Sequence, residues 1–231
     1  MIKTIFFDLD GTLLPMDQEI FIKAYFSEMG KYMMKYGYDP QQLAKAIWKG
    51  TYVMYANDGK ITNEEAFWNV MISIYGKKVL EDIPYFDQFY IDKFDEVKIS
   101  CGYNPVSKKV IDALKDKYPL ILATNPIFPG MATEKRISWA GLDVNDFKYV
   151  TTYEKCTSSK PNLLYYKQLL EKFDLKPEEC LMVGNDIKED MCVEALGMQV
   201  FLVTDCLINP DNVDISKYPQ GTLEDLLDYV K

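Results

Sequence analysis

The sequence contains no histidine, and only one of its 231 residues, Arg136, is an arginine. Without histidine, Ser-His-Asp and Cys-His mechanisms are excluded, and acid–base work falls to carboxylates, lysine or tyrosine. The five cysteines (Cys101, Cys156, Cys180, Cys192 and Cys206) are odd in number, scattered, and form no CxxC pair. Neither a disulfide framework nor a zinc site is expected. Any metal site must therefore be built from oxygen, which favours magnesium-like ions. A lone arginine also leaves almost nothing for bidentate clamps on several phosphates, so a small substrate with one phosphate is expected.

Long apolar runs are missing too. None approaches the ~20 residues of a membrane-spanning helix, and no membrane partner is expected. The first residues run straight into an apolar stretch with no charged-then-apolar leader, so a cytoplasmic location is the expectation. A formal charge of −9 argues against sequence-independent binding of nucleic acid, which needs a basic surface. Hydrophobic content of 48% and charged content of 26% fit a soluble globular protein, long enough for one large domain or two modest ones.

What is present centres on Lys3 to Leu14, KTIFFDLDGTLL. Ile5, Phe6 and Phe7 form an apolar run long enough for a buried strand. It stops at Asp8, with Asp10 and Gly11 close behind. Turn formation alone would account for these three residues. Two carboxylates two residues apart nevertheless repel each other, and they become favourable when a cation neutralises them.

From Asp17 to about Val97 the chain reads as helical. Ile20, Tyr25, Met29, Tyr32 and Met33 recur at helical spacing, with a stop near Gly37. Asp39-Pro40 opens a second helix toward Tyr55. Thr62-Asn63-Glu64-Glu65 resembles a capping box for a third, running through Phe67, Val70 and Ile74. Residues 85–97 predict a fourth. The second half alternates instead: helix 105–117, strand 120–123, helix 134–140, strand 149–150, helix 163–173, strand 180–183, a helical stretch 193–196, strand 200–203 and helix 223–229. That alternation implies a doubly wound parallel sheet. The expected architecture is α/β, with a core of residues 1–14 and 100–231 and an all-helical cap over residues 15–99.

Polar residues follow three of the apolar runs. Thr124-Asn125 come after the strand at 120–123, Lys160-Pro161 open the helix at 163, and Gly184-Asn185-Asp186 end the strand at 180–183, with Asp190 four residues on. Singly, each has an ordinary structural reading: a loop hydroxyl, a solvated lysine, a helix-capping acid pair. In a parallel sheet these ends share one edge, where a hydroxyl, an ammonium and further carboxylates can converge on Asp8 and Asp10. Phosphoryl transfer needs such a set.

The string DLDGT, followed in order by Thr124, Lys160 and the acids after Gly184, resembles the four motifs of the haloacid dehalogenase-like (HAD) hydrolases. The helical insert straight after the first motif resembles their C1 cap, so the likeness covers most of the chain. It implies that Asp8 is the nucleophile, forming an aspartyl phosphate, and that Asp10 protonates the leaving alcohol and then activates water. It implies Mg²⁺ held by the Asp8 carboxylate, the Asp10 backbone carbonyl and Asp186. Thr124 and Lys160 would hold the transferring oxygens, with Asn125 and the Leu9 amide as further donors. Family members lacking an acid at the position of Asp10 cleave carbon–halogen or carbon–phosphorus bonds, so its presence implies phosphate-ester chemistry. One departure stands out: many relatives carry Asp directly after the fourth-motif glycine, where this chain has Asn185. The metal is assigned here to Asp186, with Asp190 behind it and Asn185 as a further possible ligand.

The expected function is hydrolysis of a small phosphorylated metabolite. The alternatives are a phosphomutase acting on a sugar phosphate, which would yield isomers rather than phosphate, and a binding protein that has lost the chemistry. In the cap, Tyr25, Tyr32, Trp48, Tyr52, Tyr55 and Trp68 are expected to be mostly core, with a minority lining a pocket. Lys49 and Lys60 are the cap's candidates for meeting an anion.

Overall fold

The computed structural model describes all 231 residues. The first strand, β1 (Thr4–Phe7), is followed by four cap helices: α1 (Gln18–Met33), α2 (Pro40–Tyr55), α3 (Asn63–Tyr75) and α4 (Ile83–Asp92). The chain then alternates through α5 (Pro105–Leu114), β2 (Leu120–Leu122), α6 (Gly130–Trp139), β3 (Tyr149–Val150) and α7 (Leu163–Lys172). It closes with β4 (Cys180–Gly184), β5 (Gln199–Val203), β6 (Gln220–Gly221) and α8 (Leu226–Tyr229). No helix is long and apolar enough to cross a membrane.

The six strands form one parallel sheet in the order β3-β2-β1-β4-β5-β6, with Ile5 beside both Leu120 and Leu181. The strands are apolar throughout because both faces are covered. Successive side chains alternate between two cores. Ile5, Phe7, Leu122 and Val183 face α5, α6 and the cap, whereas Phe6, Ile121 and Met182 face α7. Strand β1 is central, so the residues that follow it emerge in the middle of the sheet's C-terminal edge, where open α/β sheets bind ligands.

The cap helices start where the local chemistry provides a cap. Asp17 accepts a bond from the Ile20 amide, Asp39 accepts one from Gln42 with Pro40 in the first turn, and Thr62 and Glu65 form a reciprocal capping box. The fourth cap helix is shorter than its periodicity predicts. It ends at Asp92, and Phe94–Ser100 form a 3-10 segment. The break lets Phe94 become fully buried, its ring 4.9 Å from that of Trp139. Burying a phenylalanine is worth about 1.5–3 kcal/mol, more than the about 1 kcal/mol of a helical hydrogen bond. The closing helix also starts later than its pattern suggests: Thr222 and Asp225 cap each other, but the first turn is wound tightly, with Asp225 bonded to the Thr222 carbonyl and Leu227 to the Glu224 carbonyl.

Two of the ties between cap and core are the paired linkers and a buried asparagine. The entering and leaving linkers pair through a bridge between Met16 and Cys101 and a Gly102 amide bond to the Pro15 carbonyl. Asn63, at the start of α3, is completely buried. Its backbone amide bonds the Cys156 carbonyl, and its side chain reaches the Pro126 carbonyl and Ser159 Oγ.

Candidate active site

The sheet edge collects the polar residues singled out in the α/β half of the sequence, together with Asp8 and Asp10. Asp8 leaves β1 still hydrogen-bonded to Val183 and is buried. The amide of Leu9 donates no hydrogen bond within the chain, although its carbonyl accepts from Thr12, Leu13 and Leu14. Gly11 makes the turn possible. Its φ of +88° is strained for other residues, and a Cβ there would lie 2.3 Å from the Asn185 amide nitrogen.

Lys160 is fully buried behind Asp8, with Nζ 2.9 Å from Asp8 Oδ1 and 2.6 Å from Asp190 Oδ1. Burial alone would lower its pKa. The attraction of Asp190 and Asp8 prevails and holds it well above the ordinary lysine value, so one permanent cation is shared by two carboxylates. The Thr12 hydroxyl lies 3.1 Å from Asp8 Oδ2 and 2.9 Å from Asn185 Oδ1. Asp190 gets close enough only because residue 184 is glycine, since a Cβ there would sit 2.1 Å from its Oδ2.

Asp10 has a partner that the sequence pattern does not announce. Its Oδ2 forms an ion pair with the Arg136 guanidinium, which rises from α6 and is 1% exposed. The guanidinium is also packed on the Phe128 ring, 4.6 Å from its centre. The other oxygen, Asp10 Oδ1, is buried without a partner. Burial raises the Asp10 pKa, Arg136 opposes the rise, and the nearby Asp8 charge adds to it.

Asn125 and Asp190 turn inward. Asn125 Nδ2 lies 2.9 Å from Glu189 Oε1, which also accepts from the Tyr55 hydroxyl at 3.4 Å. The amide that the sequence suggests for phosphate is thus spent on a link between core and cap, and neither Glu189 nor Tyr55 was legible as its partner. Burial pushes Glu189 up to about 8. Asp190 spends one oxygen on Lys160 and the other on the Asp186 amide. Asn185 donates its amide to the Cys206 carbonyl. Thr124 is buried at the floor of the edge, its carbonyl held by Thr151 and Tyr165.

For a metal, no three acidic side chains converge into a ready cage. Magnesium does not need one, because it commonly keeps several waters and takes one or two carboxylates. The available donors are all oxygen and fit that demand. Nothing hydrogen-bonds the Asp10 carbonyl, and Asp186 uses Oδ1 to cap Lys188 and Glu189 while Oδ2 has no partner. Asp8 supplies the second carboxylate.

A cavity of about 280 Å³ lies between this edge and the cap, lined by 28 residues of which 16 are hydrophobic. Tyr25, Trp48, Tyr55 and Trp68 border it, so more of the cap aromatics reach the cavity than expected. Lys49 and Lys60 do not: both are exposed, and Lys60 pairs with Asp58.

A haloacid dehalogenase-like hydrolase family model matches residues 2–191, and a second HAD-hydrolase-like model matches residues 157–229. No curated protein sequence matches the chain. Among solved structures, it is similar to a predicted phosphoglycolate phosphatase from Haemophilus somnus, at 19% identity and a TM-score of 0.61 over 100% of this chain and 98% of that one. It is also similar to a 2-haloacid dehalogenase from Pseudomonas syringae, at 16% identity and a TM-score of 0.62 over 100% and 98% of the two chains. A third likeness is to a HAD family enzyme from Bacteroides thetaiotaomicron, solved with magnesium and inorganic phosphate. Here the identity is 18% and the TM-score 0.57, over 91% of this chain and 98% of that one. At such identities the structures speak to the fold, while the family model spans most of the sequence, Asp8 to Asp190 included. The chain belongs to the haloacid dehalogenase-like hydrolases.

Proposed function

We propose that the protein is a magnesium-dependent phosphatase acting on a small phosphate monoester. The observation that carries this reading is the division of labour between two neighbouring carboxylates. Asp8 is ion-paired to the buried Lys160, while Asp10 keeps one oxygen free of any partner and has its pKa raised by burial. Carboxylates set in such different surroundings take separate nucleophile and acid roles.

In the proposed reaction an Asp8 carboxylate oxygen attacks phosphorus, and the bond from phosphorus to the ester oxygen breaks. Asp10 Oδ1 delivers its proton to the departing alkoxide, while Arg136 keeps the carboxyl oriented through Oδ2. Water then attacks the aspartyl phosphate and gives a proton back to Asp10, and cleavage of the phosphorus–Asp8 bond releases phosphate. Thr124, Lys160 and the free Leu9 amide are placed in this reading on the transferring oxygens. Magnesium would be held by Asp8, the Asp10 carbonyl and Asp186, and when bound supplies charge screening that lets an anionic phosphate approach Asp8.

The sugar-phosphate mutase reading is weaker, because several polar groups of the cap wall are already spent within the chain: the Tyr25 and Tyr90 hydroxyls on each other, Tyr55 on Glu189 and Thr51 on the Ile47 carbonyl. The test is phosphate release from a panel of small esters, with magnesium and with EDTA, by the wild type and by Asp8→Asn. Magnesium-dependent release that Asp8→Asn abolishes is expected. Release by the variant at the wild-type rate would overturn the proposal.

A further inference from the structure

The phosphatase reading leaves open what the ester's alcohol is, and the cavity walls bear on that. No lysine or arginine lines the cavity. A leaving group carrying a carboxylate or a second phosphate would be desolvated there without a counter-charge. The cap wall is largely rings, among them Tyr25, Phe26, Phe67, Trp68 and Tyr90. The Tyr25 and Tyr90 hydroxyls are spent on each other, 2.9 Å apart. Trp68, 7% exposed, adds its indole ring to this wall.

One cap residue on this wall is charged. Asp87 of α4 lines the cavity and is half-buried, and its carboxylate makes neither an ion pair nor a hydrogen bond within the chain. Its surroundings are acidic as well. Burial raises the pKa of Asp87, with Glu154 as the second cause, and burial followed by Glu154 and Asp87 does the same to Glu64, with no basic group offsetting either. An aromatic enclosure with an unpaired carboxylate attracts organic cations, through ring quadrupoles and direct charge. The geometry points to a substrate whose alcohol bears an ammonium or quaternary ammonium group and no second anion, the cation seated among the cap rings beside Asp87 and the phosphate on the Asp8 edge. This inference rests on the phosphatase reading for the phosphate, but the cation pocket can be tested apart from turnover.

Two of the three tryptophans, Trp48 and Trp68, line the cavity, so quenching of tryptophan fluorescence reports its occupancy without any chemistry. Three probes of similar size serve: benzyltrimethylammonium, benzyl alcohol and phenylacetate. The cation is expected to quench saturably and to bind about tenfold more tightly than benzyl alcohol, with phenylacetate weakest. Asp87→Asn should weaken the cation several-fold and leave the neutral probe unchanged, because the rings remain and the charge is gone, and Asp87→Glu should keep the wild-type difference. Phenylacetate binding as tightly as the cation, or no saturable quenching by any probe, would overturn the inference. In parallel, phosphate release is measured from phenyl phosphate and its trimethylammonio and carboxylate derivatives. Turnover of none of them counts against the phosphatase reading, while the fluorescence result still decides the pocket. Turnover with the carboxylate ester preferred counts against the pocket alone.

Discussion

Asp10 and Arg136, 126 positions apart in sequence, form a buried ion pair that leaves one Asp10 oxygen without a partner. The chain's single arginine is thus committed to the proposed general acid rather than to substrate. Removing one partner of such a pair leaves an uncompensated charge in the interior, a loss of about 3–5 kcal/mol. Arg136→Met should lower the urea unfolding midpoint accordingly and slow phosphate release. Arg136→Lys should restore stability better than rate, because an ammonium lacks the planar fork that orients the carboxyl. Full activity in Arg136→Met would show the pair to be structural only.

Asp10→Asn should cut phosphate release by roughly 10²–10⁴-fold for an alkyl phosphate. The loss should be much smaller for p-nitrophenyl phosphate, whose leaving group needs little protonation. Equal losses on both esters would argue that Asp10 does not act by proton transfer.

Lys160 holds Asp8 and Asp190 together with no exposure to solvent. Lys160→Met strands two buried carboxylates and should destabilise by at least about 3 kcal/mol. Adding Asp190→Asn to that variant should return part of the loss, because one of the stranded charges is gone. Unfolding midpoints of the single and double variants check this, and simple additivity would refute the shared-cation description.

Metal dependence gives a third kind of test. EDTA should abolish phosphate release, and added magnesium should restore it. Asp186→Asn should raise the magnesium concentration for half-maximal rate, whereas Asn185→Ala should raise it less. The reverse ranking would move the ligand from Asp186 to Asn185.

The Glu189 carboxyl, lifted by burial to about 8, carries a sign that can be checked. Between the ordinary carboxylate range and pH 8 the folded protein binds this proton and the unfolded chain does not. Stability therefore falls as pH rises across that window. Glu189→Gln keeps an acceptor for Asn125 and Tyr55 but removes the titration. In EDTA, its melting temperature should gain on the wild type progressively from about pH 5 to pH 8. A constant offset would rule out the shift.

The sheet and the helical insert were legible because periodicity and caps are local: Thr62 with Glu65, Asp39 with Pro40, and apolar runs ended by polar residues. Boundaries moved where distant packing outweighed local pattern, as when Phe94 left the helix to bury itself. Strand β6, two residues at the sheet's edge, carries no apolar signal at all. Within the site, Asp8 directly follows β1, and Lys160 and Asp190 come from the loops that leave β3 and β4 on the same sheet edge, so all three meet there. Arg136 stands on a helix, and its uniqueness was the only hint. The Asn125–Glu189–Tyr55 link depends on how the cap settles on the core, which no spacing encodes.

The cap's attachments also have a mechanical meaning. The linkers at Met16 and Cys101 are bridged to each other and act as one point, and the buried Asn63 contact is a second. The Tyr55–Glu189 bond and the Lys135–Asp95 pair are further, solvent-exposed ties across the same seam. Rotation of the cap about the line through the first two points has to break these exposed ties first, so they serve as its latch.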